Sequence, residues 1–256
     1  MVLDAPPPAL QDFTNTAVSF FNNHRVPAAL LAATAIKDAF VLQGRKDVDA
    51  DVKRSWRLVR YGYLLLMITC FYMEINVIFL STHVGIQLAN GNFKAEATSL
   101  ISMLLREFEF EYVAVRFQFV TSMLAFVAAQ ALRVRFSLRR YADLSLSAMF
   151  CLFGAAFGML AYNNANAITF GGYKGLLQRW AVLSFQFLLD RCRTGQPLAW
   201  LTACSAMLAI VFAGRAASVA ASALAEVVLA DAEGDVDEDP QQDADGDEAD
   251  LRHVGA

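Results

Sequence analysis

Four long apolar stretches limit what this chain can fold into before any motif is considered. They run from Leu58 to Thr82, Val113 to Leu132, Leu144 to Ala165 and Leu198 to Ala221. A helix rises about 1.5 Å per residue, so about 20 apolar residues cover a hydrocarbon layer about 30 Å thick. The expectation is an all-α integral membrane protein with four transmembrane helices in one bundle. Only 18% of the residues are charged, against about 25% in soluble domains, so little of the chain is left for a separate soluble domain.

Charge divides the chain into regions. The net charge of −4 conceals 11 acidic and no basic residues between Asp231 and Asp250, which leaves 14 acids against 21 bases elsewhere. Such a composition buries too little surface to offset ordering entropy, so a disordered acidic tail is expected. Asp235, Asp237 and Asp239 alternate as in a calcium loop, but Pro240 stands at the glycine position and Gly246 at that of the bidentate glutamate. The regions are a cytoplasmic N-terminal part over 1–57, a membrane domain over 58–222, and a helix end with the acidic tail over 223–256.

Orientation follows from the basic residues. Arg45, Lys46, Lys53, Arg54, Arg57 and Arg60 precede the first span, and Arg133, Arg135, Arg139 and Arg140 follow the second. The intervening segment has only Lys94 and Arg106, and the link after span three carries Lys174, Arg179, Arg191 and Arg193. The positive-inside bias places both termini and the 133–143 link in the cytoplasm. Two shorter apolar segments, 26–43 and 176–189, are interrupted by Lys37–Asp38 and by Gln178, Arg179 and Gln186, and are expected to be interfacial or re-entrant helices and not crossings. If only 26–43 crossed, the N-terminus would move to the opposite side and everything downstream would keep its orientation.

The stretch from Asn92 to Phe153 contains neither Gly nor Pro between its ends. It predicts either one long helix projecting from the membrane over 93–136 or a short helix from Phe93 to Arg106 that lies on the membrane and then turns. The four cysteines form no C-x-x-C pair, no N-x-[ST] sequon occurs, and the start of the chain lacks the basic and apolar regions of a cleaved signal.

Ionisable groups inside spans are costly and are functional candidates by default. Glu74 is the clearest. Counting 100° per residue, Arg60, Tyr63, Met67, Cys70 and Phe71 fall near its face of the helix. Around a symmetry axis such a stripe would give a ring of carboxylates above an apolar constriction, as in a cation pore. The alternative is an ion pair between helices, with Arg116 the better partner by depth and Arg215 the poorer. Over the 15 residues from Arg60 to Glu74, the order basic, apolar, Glu in a first span resembles the Orai family of calcium channels. That resemblance implies a pore-lining role for Glu74. The 30-residue link after span one and the unmatched small and Gly pore positions depart from it.

Gly154-Ala-Ala-Phe-Gly158 is a G-x-x-x-G expected to pack spans three and four, or two copies of the chain. Glu107, Glu109 and Glu111 form an outer acidic cluster, with Glu107 and Glu111 on one face if the helix is continuous. His24, His83 and His253 all lie outside the spans, and no H-E-x-x-H, P-loop or G-x-S-x-G occurs. The chain is therefore expected to be no enzyme and to use no cofactor or metal. Its expected partners are the lipid bilayer and either further copies of itself or other membrane subunits, not nucleic acid. Two roles follow: an oligomeric ion channel or transporter subunit using Glu74, or a structural or assembly subunit of a larger membrane complex in which Glu74 is part of a helix–helix ion pair.

Overall fold

The computed structural model describes residues 9–41, 54–91, 93–138, 140–166 and 168–234. The described chain is helical almost throughout. Helix α1 (Thr14–Ala39) is followed by α2 (Arg54–Asn90), α3 (Leu100–Glu107), α4 (Glu109–Ser137), α5 (Ala142–Asn166), α6 (Tyr173–Arg193) and α7 (Pro197–Gly234). Two short strands, β1 (Gln11–Asp12) and β2 (Glu96–Ala97), pair antiparallel with Gln11 opposite Ala97. Among the described residues three helices are long and apolar enough to cross a membrane: α2 over Val59–Asn90, α4 over Glu109–Ser137 and α5 over Ala142–Asn164. The fourth expected span falls in α7, where the apolar run among the described residues covers Pro197–Phe212, short of a crossing length.

Helix α2 is the central element. Tyr63, Met67, Cys70, Glu74, Val77, Ser81, Val84 and Leu88 are all buried. Their alternating spacing of four and three residues makes a seam of the coiled-coil type. Helix α4 packs antiparallel on that seam: Ser122 meets Glu74, and a Cβ on Gly62 would lie 3.4 Å from the Leu132 side chain. Helix α1 packs on it as well, through Ala28, Ala32, Ala35 and Ala39, whose small side chains permit close backbone approach.

The segment expected over 26–43 belongs to a longer helix. Helix α1 begins about three turns before Val26 and lies antiparallel to α2. Its start joins Ala17 and Phe21 to Val84 and Leu88, and its end joins Ala35 and Ala39 to Tyr63 and Met67. It is parallel to α4, with Phe20 against Tyr112 (5.4 Å between ring centroids), His24 against Phe119 (5.2 Å) and Arg133 Nη1 on Asp38 Oδ2 (2.8 Å). Phe20 and Asp38 are separated by about 27 Å of helix. Periodicity around Lys37–Asp38 hides this placement because the neutralising arginine lies on another helix.

The two ends of the bundle differ. At one end, Asp38 accepts from Arg133, Tyr63 Oη donates to the Asp38 carbonyl (2.6 Å), and Arg135 bonds Ser145 at the start of α5. The other end is closed by the β1–β2 ladder and α3. Ser99 and Ser102 cap α3 reciprocally, each side chain meeting the other's backbone N–H at 3.2 Å. The long projecting helix over 93–136 does not form. The backbone of Phe108 leaves helical geometry (φ −137°, ψ 37°), and its ring is buried edge-on to Phe93 at 5.6 Å. Arg106 fastens the corner by donating to the carbonyls of Lys94 and Glu96. Burial of Phe108 thus replaces the continuous helix that propensity alone favours.

Helix α5 returns along α4, and Asn164 Oδ1 accepts the backbone N–H of Tyr173 (3.0 Å) at the start of α6. Helix α6, expected over 176–189, lies against the Tyr112 half of α4. Tyr173 Oη meets Thr121 Oγ1 at 2.7 Å, Trp180 stacks on Phe117 at 4.5 Å, and Phe187 stacks on Phe110 at 5.1 Å. Within the unit that contains α5, Gly154 and Gly158 are exposed, and a Cβ at either would meet nothing within 4 Å. Helix α5 turns Ser145 and Ala156 inward instead.

Residues from Cys204 onward form a second compact unit, whose described part is the remainder of α7. That helix continues through Asp231 and Glu233 to Gly234, so the first residues of the expected tail are helical. Residues 235–256, which carry most of that tail, lie outside the described residues, as does the start of the N-terminal region.

Candidate functional site

Glu74 sits in the middle of the α2 seam with no exposed surface. The adjoining seam positions are Cys70 and Val77, and α1 contributes Ala28 and Leu31 to the surrounding clusters. None of these can neutralise a carboxylate. Among the described residues Glu74 takes part in no ion pair.

Its partner is Ser122. The hydroxyl contacts Glu74 Oε1, and the same oxygen contacts the Phe119 carbonyl at 2.8 Å. A serine carries one hydroxyl proton. Both contacts are satisfied together when the carboxyl donates to Ser122 Oγ and the serine passes its own proton to the Phe119 carbonyl. Glu74 Oε2 has no hydrogen-bond partner.

The expected Glu74–Arg116 pair does not form. Arg116 precedes Ser122 by six residues, about 9 Å along the axis of α4. Its Nη1 donates to Tyr112 Oη at 2.9 Å, with the guanidinium 5.6 Å from the same ring. Arg215 belongs to the second unit, where its carbonyl accepts from Ser218 Oγ at 2.8 Å. The antiparallel register of α2 on α4 determines the acid's partner, and the sequence of either helix alone carries no register.

The stripe read from spacing does share a face, and that face turns into the bundle. Tyr63, Met67 and Cys70 are fully buried with Ala125 and Ala129, while Phe71 and Arg60 are half-buried at its edge, Arg60 lying 5.9 Å from the Tyr61 ring. The face of α2 that carries Leu65, Ile68, Tyr72, Ile75 and Phe79 is the exposed one. A carboxylate ring around a symmetry axis would need Glu74 on that exposed face.

The outer acidic residues are held separately. Glu107 pairs with Arg106 (2.7 Å), and Glu109 accepts from Arg179 Nε (2.8 Å) and Nη2. The break at Phe108 puts Glu107 and Glu111 on different helices, so they do not share a helical face. Among the described residues no group of three His, Cys, Asp or Glu side chains is placed to hold a metal ion.

Three more polar residues of the α2–α4 seam went unnoticed in the sequence: Ser81, Gln118 and Ser122, all buried. A signal for Ser81 exists, since it continues the four–three spacing from Glu74 through Val77. The chain matches no family model, and it is similar to no curated protein and to no solved structure.

Proposed function

We propose that this chain is a non-enzymatic, polytopic integral membrane protein serving as a transporter or channel subunit, with Glu74 as the proton-binding carboxyl of a path inside the protomer. The observation that carries this reading is the fully buried carboxyl with one oxygen on Ser122, one oxygen without a partner and no cation beside it. An intramembrane acid of this kind is costly unless it is neutral or in use. Its burial favours a path within one protomer over a pore between copies.

The proposed topology has five crossings, by α1, α2, α4, α5 and α7. The antiparallel packing of α1 along α2 supports the first of these. Its uncharged run, Val26 to Ile36, is short, but Lys37 and Arg25 at its ends can extend toward the two interfaces and Asp38 is paired. With the Arg133 end in the cytoplasm, this puts the chain start on the opposite side. Single cysteines at Asn15, Gly91 and Leu138, without the native cysteines, test the arrangement with an impermeant thiol reagent. Positions 15 and 91 are expected to label from one side and 138 from the other; labelling of 15 together with 138 would return α1 to the interface.

The functional test is proton-linked flux in proteoliposomes. Glu74→Gln is expected to lower flux at least tenfold with melting unchanged. Wild-type flux from the Gln variant would refute the transport role. The second reading, a structural subunit, is favoured by one observation: the Glu74–Ser122 hydrogen bond ties α2 to α4. Under that reading wild type carries no flux.

A further inference from the structure

Buried polar atoms on the two sides of Glu74 are distributed unequally. Toward the Arg133 end the seam holds Cys70, Met67, Ala125 and Ala129, and the next oxygen along it, Tyr63 Oη, is committed to the Asp38 carbonyl. The unpartnered buried atom of α4 on that side, Gln130 Nε2, is eight residues past Ser122, about 12 Å along the axis, with Ala125 and Ala129 between them. Toward the Tyr112 end it holds Gln118 and then Ser81. Gln118 precedes Ser122 by one helical turn on α4, and Ser81 follows Glu74 by seven residues, two turns on the same face of α2. Counted along the axes, Glu74, Gln118 and Ser81 succeed one another at steps of about 6 and 4.5 Å.

Each of the three carries a buried oxygen with no hydrogen-bond partner: Glu74 Oε2, Gln118 Oε1 and Ser81 Oγ. Native interiors rarely leave such groups unmet, and ordered water is the usual remedy where several lie together. A serine normally returns its hydroxyl to a carbonyl of the preceding turn, as Thr82 and Thr121 do here at 2.7 Å. Ser81 does not, which leaves its hydroxyl free to serve the seam.

We infer that Glu74 exchanges its proton with one side of the membrane only, the Tyr112 side, through water held in the α2–α4 seam by Gln118 and Ser81. The assignment rests on the reading of Glu74 as a proton-binding group and adds the direction of access. The titratable or charged groups nearest Glu74 are few. On α2 there is Cys70; on α4, Arg116 and Arg133 lie six and eleven residues from Ser122; on α1, His24 and Arg25 lie toward the Tyr112 end and Lys37 and Asp38 toward the other.

The test uses the full chain in liposomes. The carbonyl stretch of the Glu74 carboxylic acid, identified as the infrared band lost in Glu74→Gln, reports deuteration after transfer to heavy water. Gln118→Leu combined with Ser81→Ala is expected to slow that deuteration at least tenfold. Exchange at the wild-type rate in the double variant would overturn the route and leave the proton-binding reading standing. Absence of any carboxylic band assignable to Glu74 would overturn both.

A second measurement does not depend on the double variant folding. With Cys151, Cys192 and Cys204 replaced, native Cys70 is expected to resist a small water-soluble methanethiosulfonate. Cysteine introduced at Ser81 or Gln118 is expected to react, and only from the side on which Gly91 labels. Modification of Cys70 as fast as these sites would place water on the wrong side of Glu74 and defeat the inference.

Discussion

Glu74→Lys is expected to abolish folding, whereas Glu74→Gln is expected to be tolerated. A lysine ammonium at this position would have no acid beside it and no water-exposed route for its head, and an uncompensated buried charge costs about 3–5 kcal/mol. Glutamine keeps the shape and an amide N–H that can donate to Ser122 Oγ in place of the carboxylic acid, so the change should stay within about 1 kcal/mol. Yield of monodisperse protein and melting temperature in detergent measure both. A stable Lys variant would mean that the seam opens to water or headgroups at Glu74, and the one-sided route would fall with it.

Gly175→Ala is the second change with a large expected effect. A Cβ there would lie 1.6 Å from the Phe170 carbonyl oxygen, which is main chain and cannot swing away. The turn over Ile168–Phe170 or the start of α6 must then be rebuilt, at about 3 kcal/mol or more. The glycines of the G-x-x-x-G provide the contrast: Gly154→Ala and Gly158→Ala meet open space and should stay within about 0.5 kcal/mol of wild type. With Trp56 and Trp200 replaced by Phe, the fluorescence of Trp180, stacked on Phe117, follows the melt. Equal melting of the 175 and 154 variants would show that the Phe170 turn adapts freely.

These two sites mark where sequence alone serves and where it stops. Helices α2, α4 and α5 are legible because run length and apolar content are local properties, and Glu74 stands out because a lone acid in such a run is conspicuous. Its partner is not legible: Ser122 becomes one only through the antiparallel register of two helices. Helix α1 is concealed for a related reason, since Asp38 looks prohibitive until Arg133, 95 residues away, is seen to answer it. The glycine pair is a further case. Its spacing is local, but whether any helix approaches it is a question of tertiary arrangement, and α4 packs against other residues of α5. The corner at Phe108 depends on a ring that must find Phe93, and propensity carries no such information.

The dependence of α1 on its neighbours has a consequence for biosynthesis. With only 11 uncharged residues between Arg25 and Lys37, α1 partitions poorly into lipid by itself, and its Asp38 is answered only after α4 has emerged. On the proposed topology the N-terminal segment therefore enters the bilayer late, drawn across by a hairpin of α2 and α4 already in place. A nascent chain arrested before Arg133 leaves the ribosome would hold its first helix on the cytoplasmic side. The orientation of the whole N-terminal region is thereby made conditional on the fourth helix, and an insertion pathway that releases α4 slowly would produce two topological forms of one polypeptide.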